Sequence, residues 1–389
     1  MKTFTGIDLF KEKFPRKFYK AKAGLLTHPA GVNINLKSSI EVILNSKLVN
    51  LKAIFGPQHG FTGHTQANMI EWETFIHPTL KIPVYSLYGK ERQPEKKWLL
   101  DLDLLIIDLQ DVGSRYYTFI WTMAHCFKIC EKIGLPVLIL DRPNPIGCEK
   151  IEGYVLNEKF SSFVGIHPLP IRHSMTIAEI ALYLKDKFYK NLELFIIPMK
   201  NYKRKYFFED TNLFWVMPSP NMPSVETCFV YPGACLLEGT NISEGRGTTK
   251  PFEIFGAPYF DHKIDLKVKE LKIKGAILRE IYFQPTFDKY KVEICKGFQI
   301  HITDRKVFKP FKTFVLIIKL VYDLYPKYFK WKQPPYEYEY NKMPIDILAG
   351  TDDLRISIEK GKKIEEIESN WFLDCENFKK IRENYLLYK

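Results

Sequence analysis

Long apolar runs are missing from this chain. None of them approaches the ~18 residues that cross a bilayer, so no transmembrane helix is expected. The opening MKTFTGIDLFKEKF has neither an unbroken apolar core nor a small-residue cleavage site, so no secretory signal is expected. Cysteine is scarce and scattered: seven residues, at 126, 130, 148, 228, 235, 295 and 375, include no CxxC pair. Such a set fits a reducing compartment without structural zinc, and a cytoplasmic location is the expectation. Neither GxGxxG nor GxxxxGK[ST] occurs, which removes the main support for a dinucleotide or P-loop site. No repeat, low-complexity segment, basic helix or aromatic RNA-binding motif is present. The net charge of +12 therefore reads as a solvated Lys-rich surface, because the lysines are spread out with only short clusters such as Lys200 to Lys205.

What is present is the composition of a folded protein, 46% hydrophobic and rich in aromatics at 15%. A length of 389 residues exceeds one simple core, so two domains are expected, 1–203 and 204–389. The first half alternates short apolar runs with helical stretches. Strands are expected at 23–27, 51–55, 83–87, 104–107, 136–140 and 194–198. A short helix is expected within 1–20, with longer ones at 38–45 and from about 117 to 133. Another opens at Ser174 or Thr176, with Thr176 and Glu179 spaced as a capping box.

The strand ends carry polar groups in succession. They are His28; Gln58 and His59 in GPQHGFTG; Tyr88; Asp111 and Arg115; and Asp141, Arg142 and Asn144 in DRPNP. This pattern predicts an α/β fold, a doubly wound and mostly parallel sheet with one functional edge. Asp111 and Arg115 follow the central strand. Either they face a site there, or they cap the next helix and pair with each other. Residues 65–78 form a polar-aromatic stretch carrying Glu71.

The second half differs. VMPSPNMP (216–223), with three prolines and Asn221, cannot be a central strand or a helix. LLEGTNISEGRGTTKPFEIFGAP (236–258) packs Glu238, Asn241, Glu244 and Arg246 among four glycines and reads as a binding loop. A strand at 298–303, an amphipathic helix at 311–324 and a helical tail from 364 follow. PPYEYEY (334–340) is an extended aromatic-acidic piece.

Taken in order, GPQHGFTG, PVYSLYG, DLQDVGSRYYTFIWTM, LDRPNPIG, FVGIHPLPIRHSMTIAE, PSPNMP and LLEGTNISEGRGTTKPFE resemble the NamZ-type exo-β-N-acetylmuramidase family of glycoside hydrolases over nearly the whole chain. The resemblance implies a Rossmann-like N-terminal domain and a smaller α/β (α+β) C-terminal domain. The pocket lies between them, and the 236–258 loop closes the cleft. It implies release of N-acetylmuramic acid from the non-reducing end of peptidoglycan fragments, within cell-wall recycling. It implies no nicotinamide cofactor; none of any kind is expected. The expected partner is a small saccharide or muropeptide substrate, not nucleic acid or membrane, bound by a monomer or homodimer.

Glycoside hydrolysis ordinarily uses two carboxyl groups, one of them protonated. The carboxylate candidates are Glu71, Asp111, Glu244, Glu238, Asp141 and Glu152, with His59 and Gln58 beside them as catalytic candidates. The lactyl carboxylate of the substrate suits Arg115, Arg142 or Arg246. Tyr88 and Tyr116 are candidates for stacking on a sugar face. His28, Asn144, Asn221 and Asn241 complete the expected binding set. One departure stands out: many members of the resembled family carry Glu where this chain has Gln58. Gln is neither an acid nor a base at neutral pH. Either Glu71 takes that place, or His59 works with Asp111. Otherwise the chain is a non-hydrolytic or divergent sugar-binding protein on the same scaffold. A metalloenzyme using His28, His59 and Asp111 is a third reading, but these residues lack a tight metal-ligand spacing.

Overall fold

The computed structural model describes residues 2–66, 69–89 and 92–389. Its strands, in chain order, are β1 (Lys22–Thr27), β2 (Asn50–Gly56), β3 (Phe75–Ile76), β4 (Pro83–Ser86), β5 (Leu104–Asp108), β6 (Val137–Leu140), β7 (Glu152–Val155), β8 (Pro170–Arg172), β9 (Leu194–Ile197), β10 (Ile254–Ala257), β11 (Ala276–Phe283) and β12 (Cys295–Ile302). Seven of them form one sheet in the order β3-β4-β2-β1-β5-β6-β9. Every neighbouring pair is parallel except β3 with β4.

Both faces of this sheet are covered, which is why its central strands β1 and β5 are near-continuous apolar runs, polar only at their ends at Lys22, Thr27 and Asp108. Leu25, Ile54, Leu104, Ile106 and Leu138 point into one core, and Leu26, Phe55, Leu105, Ile107 and Ile139 into the other. The chain runs outward from β1 through β2 to β4, then crosses to β5 on the other side of β1. The strand order therefore reverses between β1 and β5, and a crevice opens beyond their carboxyl ends. The helix Phe119–Ile133 starts there and Gly134, at φ 70°, ends it in a left-handed cap. The helix Ile177–Phe188 begins with the expected capping box: Thr176 accepts from the Glu179 N–H, and Glu179 accepts from the Thr176 N–H.

The second half builds a three-stranded antiparallel sheet, β10-β12-β11. The helix Pro310–Leu324 buries Phe311, Phe314, Ile317, Ile318 and Val321. It crosses the helix Val225–Ala234 at Gly233, where a Cβ would lie 2.1 Å from the Pro310 carbonyl oxygen. One apolar core runs through both halves without a break.

Two expectations need correction. The 236–258 segment is not a loop throughout: Cys235–Gly239 coils into a 3₁₀ turn, and Ile254–Ala257 is β10, because its apolar end pairs with β12. The N-terminal helix shrinks to Phe10–Lys13 plus a 3₁₀ turn at Arg16–Phe18, interrupted by Pro15. No described helix is long and apolar enough to cross a membrane. All seven cysteines are buried and free.

Candidate active site

The turn after β2 brings the first side chains into the crevice. Gly56 lies so close to Trp72 that a Cβ would sit 2.7 Å from its ring. His59 follows with a left-handed backbone, φ 70°. Its Nδ1 lies 2.8 Å from the Thr65 carbonyl oxygen. Burial pushes its pKa down to about 4, so the ring is neutral at physiological pH.

Gln58 is buried and held from both ends. Its Oε1 accepts from Thr118 Oγ1 at 2.6 Å, and its Nε2 donates to Tyr88 Oη at 3.0 Å. Tyr88 passes its own hydrogen to Glu337 Oε2, 3.0 Å away. Burial raises the Glu337 carboxyl to about 7, against the Tyr88 hydrogen bond, and the negative charge of Glu238 adds to the rise.

Glu238 enters from the 3₁₀ turn that follows the helix Val225–Ala234. Its Oε1 accepts from Arg246 Nη2 at 2.7 Å and Nε at 3.2 Å, and its Oε2 from Tyr336 Oη at 2.6 Å. Burial alone would raise this carboxyl, but the Arg246 guanidinium and the Tyr336 hydroxyl outweigh it and hold Glu238 below its ordinary value. Two buried carboxyl groups thus lie on one cavity, one held toward its ionised form and one raised so that it gives up its proton near neutrality. Arg246 stacks over the Phe252 ring at 4.9 Å, and its Nη1 is buried without a hydrogen-bond partner among the described residues.

Six of the residues singled out in the sequence line this cavity: Gln58, His59, Tyr116, Asn221, Glu238 and Arg246. Tyr88 stands directly behind Gln58. The others are held elsewhere. Arg115 is buried with its guanidinium on the carbonyls of Tyr154, Leu169 and Leu348. Arg142 grips Asp108 with two bonds of 2.5 and 2.7 Å and faces a separate recess. Asp141 accepts from Thr176, Tyr388 and the Ala178 N–H, tying β6 to the next helix and to the C-terminal segment. Asn144 braces its own turn through Met175 O and the Ile146 N–H. Asp111 accepts from the Gly113 N–H at 2.7 Å and lies 3.2 Å from His173 Nε2, so neither a helix cap nor a pair with Arg115 forms.

His28 Nε2 accepts from the Gln110 N–H at 2.8 Å; burial and the Arg142 charge depress its pKa to about 3. Glu244 pairs with Lys289 at 2.8 Å. Glu152 pairs with Arg172 at 2.7 Å. Asn241 holds the Tyr328 carbonyl. Glu71 is half-exposed, 3.7 Å from Arg92, and not on the cavity wall. No group of three or more His, Cys, Asp or Glu side chains among the described residues is placed to hold a metal ion, and His28, His59 and Asp111 do not converge.

The sequence analysis misses Glu337, Tyr336, Thr118 and Tyr117, all on the cavity wall. The signal for the first two is the acid–aromatic alternation of PPYEYEY directly after two prolines.

Comparison with known proteins matches this architecture along its length. The N-terminal domain profile of exo-β-N-acetylmuramidase NamZ matches residues 23–226, and the C-terminal profile matches residues 229–388. The peptidoglycan β-N-acetylmuramidase NamZ of Bacillus subtilis (strain 168) is 42% identical over 388 residues, covering 100% of this chain and 92% of that protein. Two DUF1343 family proteins of Bacteroides fragilis NCTC 9343 have crystal structures similar to this one. They superpose with TM-scores of 0.89 and 0.79 at 30% and 28% identity, each over 100% of this chain and 99% of the other. With both domains matched in order and a full-length relative at that identity, the chain belongs to the NamZ exo-β-N-acetylmuramidase family.

Proposed function

We propose that this chain is an exo-acting glycoside hydrolase that removes N-acetylmuramic acid from the non-reducing end of peptidoglycan fragments. The observation that carries the reading is Arg246, buried on the cavity wall with Nη1 unpartnered. N-acetylmuramic acid differs from its neighbour in the glycan by a lactyl carboxylate. A guanidinium with an available N–H, screened from water, recognises that group. Asn221, whose Oδ1 is also buried without a hydrogen-bond partner among the described residues, and neutral His59 suit the hydroxyls and the acetamide of the same sugar. Tyr116, Tyr117 and Phe252 on the same wall offer aromatic faces to a sugar ring.

In this reading the 1–203 unit supplies Gln58 and His59. The 204–389 unit supplies both buried carboxyl groups and closes the cleft with its 236–258 segment. Seven buried free thiols favour a reducing cytoplasm, where the substrates are imported fragments and the reaction is a step of wall recycling. The test is incubation with the disaccharide N-acetylmuramyl-N-acetylglucosamine, followed by mass spectrometry of the products. Free N-acetylmuramic acid is expected, and Arg246→Met raises KM for this substrate. Binding of the disaccharide without turnover refutes hydrolysis and leaves the sugar-binding reading that Gln58 raises.

A further inference from the structure

Glu337 sits on an unusual piece of backbone. Tyr336 and Glu339 exchange N–H···O bonds of 2.9 Å each and close a two-residue turn. The residues inside it, Glu337 and Tyr338, have φ of 45° and 65°. Such turns favour Gly and Asn, because a Cβ is crowded in the left-handed region. Strained residues of this kind persist where the surroundings over-determine them, and they cluster at active sites. Here the turn carries a carboxyl group into the cavity that Glu238 and Gln58 also line, and leaves the residue only 4% exposed.

We propose that Glu337 is the catalytic acid of this chain, delivering the proton that Gln58 cannot. This rests on the muramidase reading above. As the bond between C1 and the glycosidic oxygen breaks, the Glu337 proton moves to that oxygen, and the shortened fragment leaves as an alcohol. Glu238, already ionised, faces the positive charge that develops at C1. Water adds at C1, and the proton it loses restores the pair of carboxyls to its starting charge.

Gln58 acquires a different task. Thr118 donates to its Oε1, so its amide N–H must face Tyr88, and the Tyr88 hydrogen must then point at Glu337. The side chain at 58 fixes the direction of this chain of bonds. Four groups act on the Glu337 carboxyl besides burial. Glu238 favours its protonated form, while Tyr88, Arg246 and Arg92 favour its ionised form.

The test compares wild type and Glu337→Gln on two N-acetylmuramides. A 2,4-dinitrophenyl leaving group departs without a proton; the sugar alcohol of the natural disaccharide needs one. Glu337→Gln is expected to lose about 10²–10⁴-fold in kcat/KM on the disaccharide and under about tenfold on the dinitrophenyl glycoside. On the disaccharide, wild-type activity falls above a pH of about 7, and the variant loses this limb. Tyr88→Phe removes a bond to the ionised acid, so the limb moves to higher pH. Equal losses on both substrates, or a limb that neither variant moves, overturn the proposal alone. A wild type silent on both substrates overturns the muramidase reading first, and the proposal with it.

Discussion

Replacing Glu337 with its uncharged isostere is expected to make the protein harder to melt above pH 7. Glu337 has a folded-state pKa of about 7 against an ordinary value of 4.5. Between these values the folded chain holds a proton that the unfolded chain has released. Stability therefore falls as pH rises from 4.5 to 7, and the full cost remains above that. A rise of about 2.5 units corresponds to about 3 kcal/mol at about 1.4 kcal/mol per unit. Gln cannot ionise, so Glu337→Gln escapes this cost. With an unfolding entropy of about 2 cal/mol/K per residue, 3 kcal/mol amounts to about 4 °C for a chain of this size. Thermal melts of both proteins at pH 4.5 and pH 8, at one scan rate, test it. The two should melt together at the lower pH, with the variant about 4 °C higher at pH 8. A difference independent of pH, or a variant that melts lower at pH 8, refutes the assignment of a destabilised acid to this turn.

Three other substitutions probe the frame. Arg246→Leu strips Glu238 of its main counter-charge inside the protein and should cost about 3–5 kcal/mol in denaturant melts; a loss below about 1 kcal/mol would mean that Glu238 is not held as an ion. Gly233→Ala places a methyl 2.1 Å from the Pro310 carbonyl oxygen and forces two helices apart. A loss of about 1–3 kcal/mol is expected, and a wild-type melting temperature would contradict the close crossing. Thr176→Ala removes both the helix cap and a donor to Asp141 and should cost about 1–2 kcal/mol, read by urea titration. An unchanged midpoint would show the cap to be idle.

The sheet was legible because its signals are local. The run Leu104–Asp108 is apolar at every position but its last, the capping box spans four residues, and each strand ends in its own punctuation of Gly, Pro or Asp. The site was legible only in part, because a polar residue at a strand end has two possible uses that look alike in sequence. Gln58 turns toward the cavity, whereas Arg142, from an equivalent position, turns back onto Asp108. Spacing along the chain does not distinguish them, because the choice depends on partners in other strands. Arg115 illustrates the same point: its guanidinium reads as a carboxylate grip, yet three backbone carbonyls, one from Leu348, engage it first. Glu337 lay beyond reach for a further reason. Its role depends on a turn that sets a non-glycine residue at positive φ, and on Tyr88, which is 249 positions away.

Asp141 closes β6, yet one of its hydrogen-bond partners is Tyr388, 247 positions downstream. At about 5–20 residues per second, a ribosome needs roughly 12–50 s to make the chain between them. During that interval the first sheet gains its last strand, β9, and then waits for the groups that finish its edge. Asp141 lacks its tyrosine, Arg115 lacks the Leu348 carbonyl, and Tyr88 lacks Glu337. The strand ends on one wall of the crevice are synthesised early, whereas the residues that complete it come from the second half, so a nascent chain holds this sheet edge open to chaperones long before it can close on a sugar.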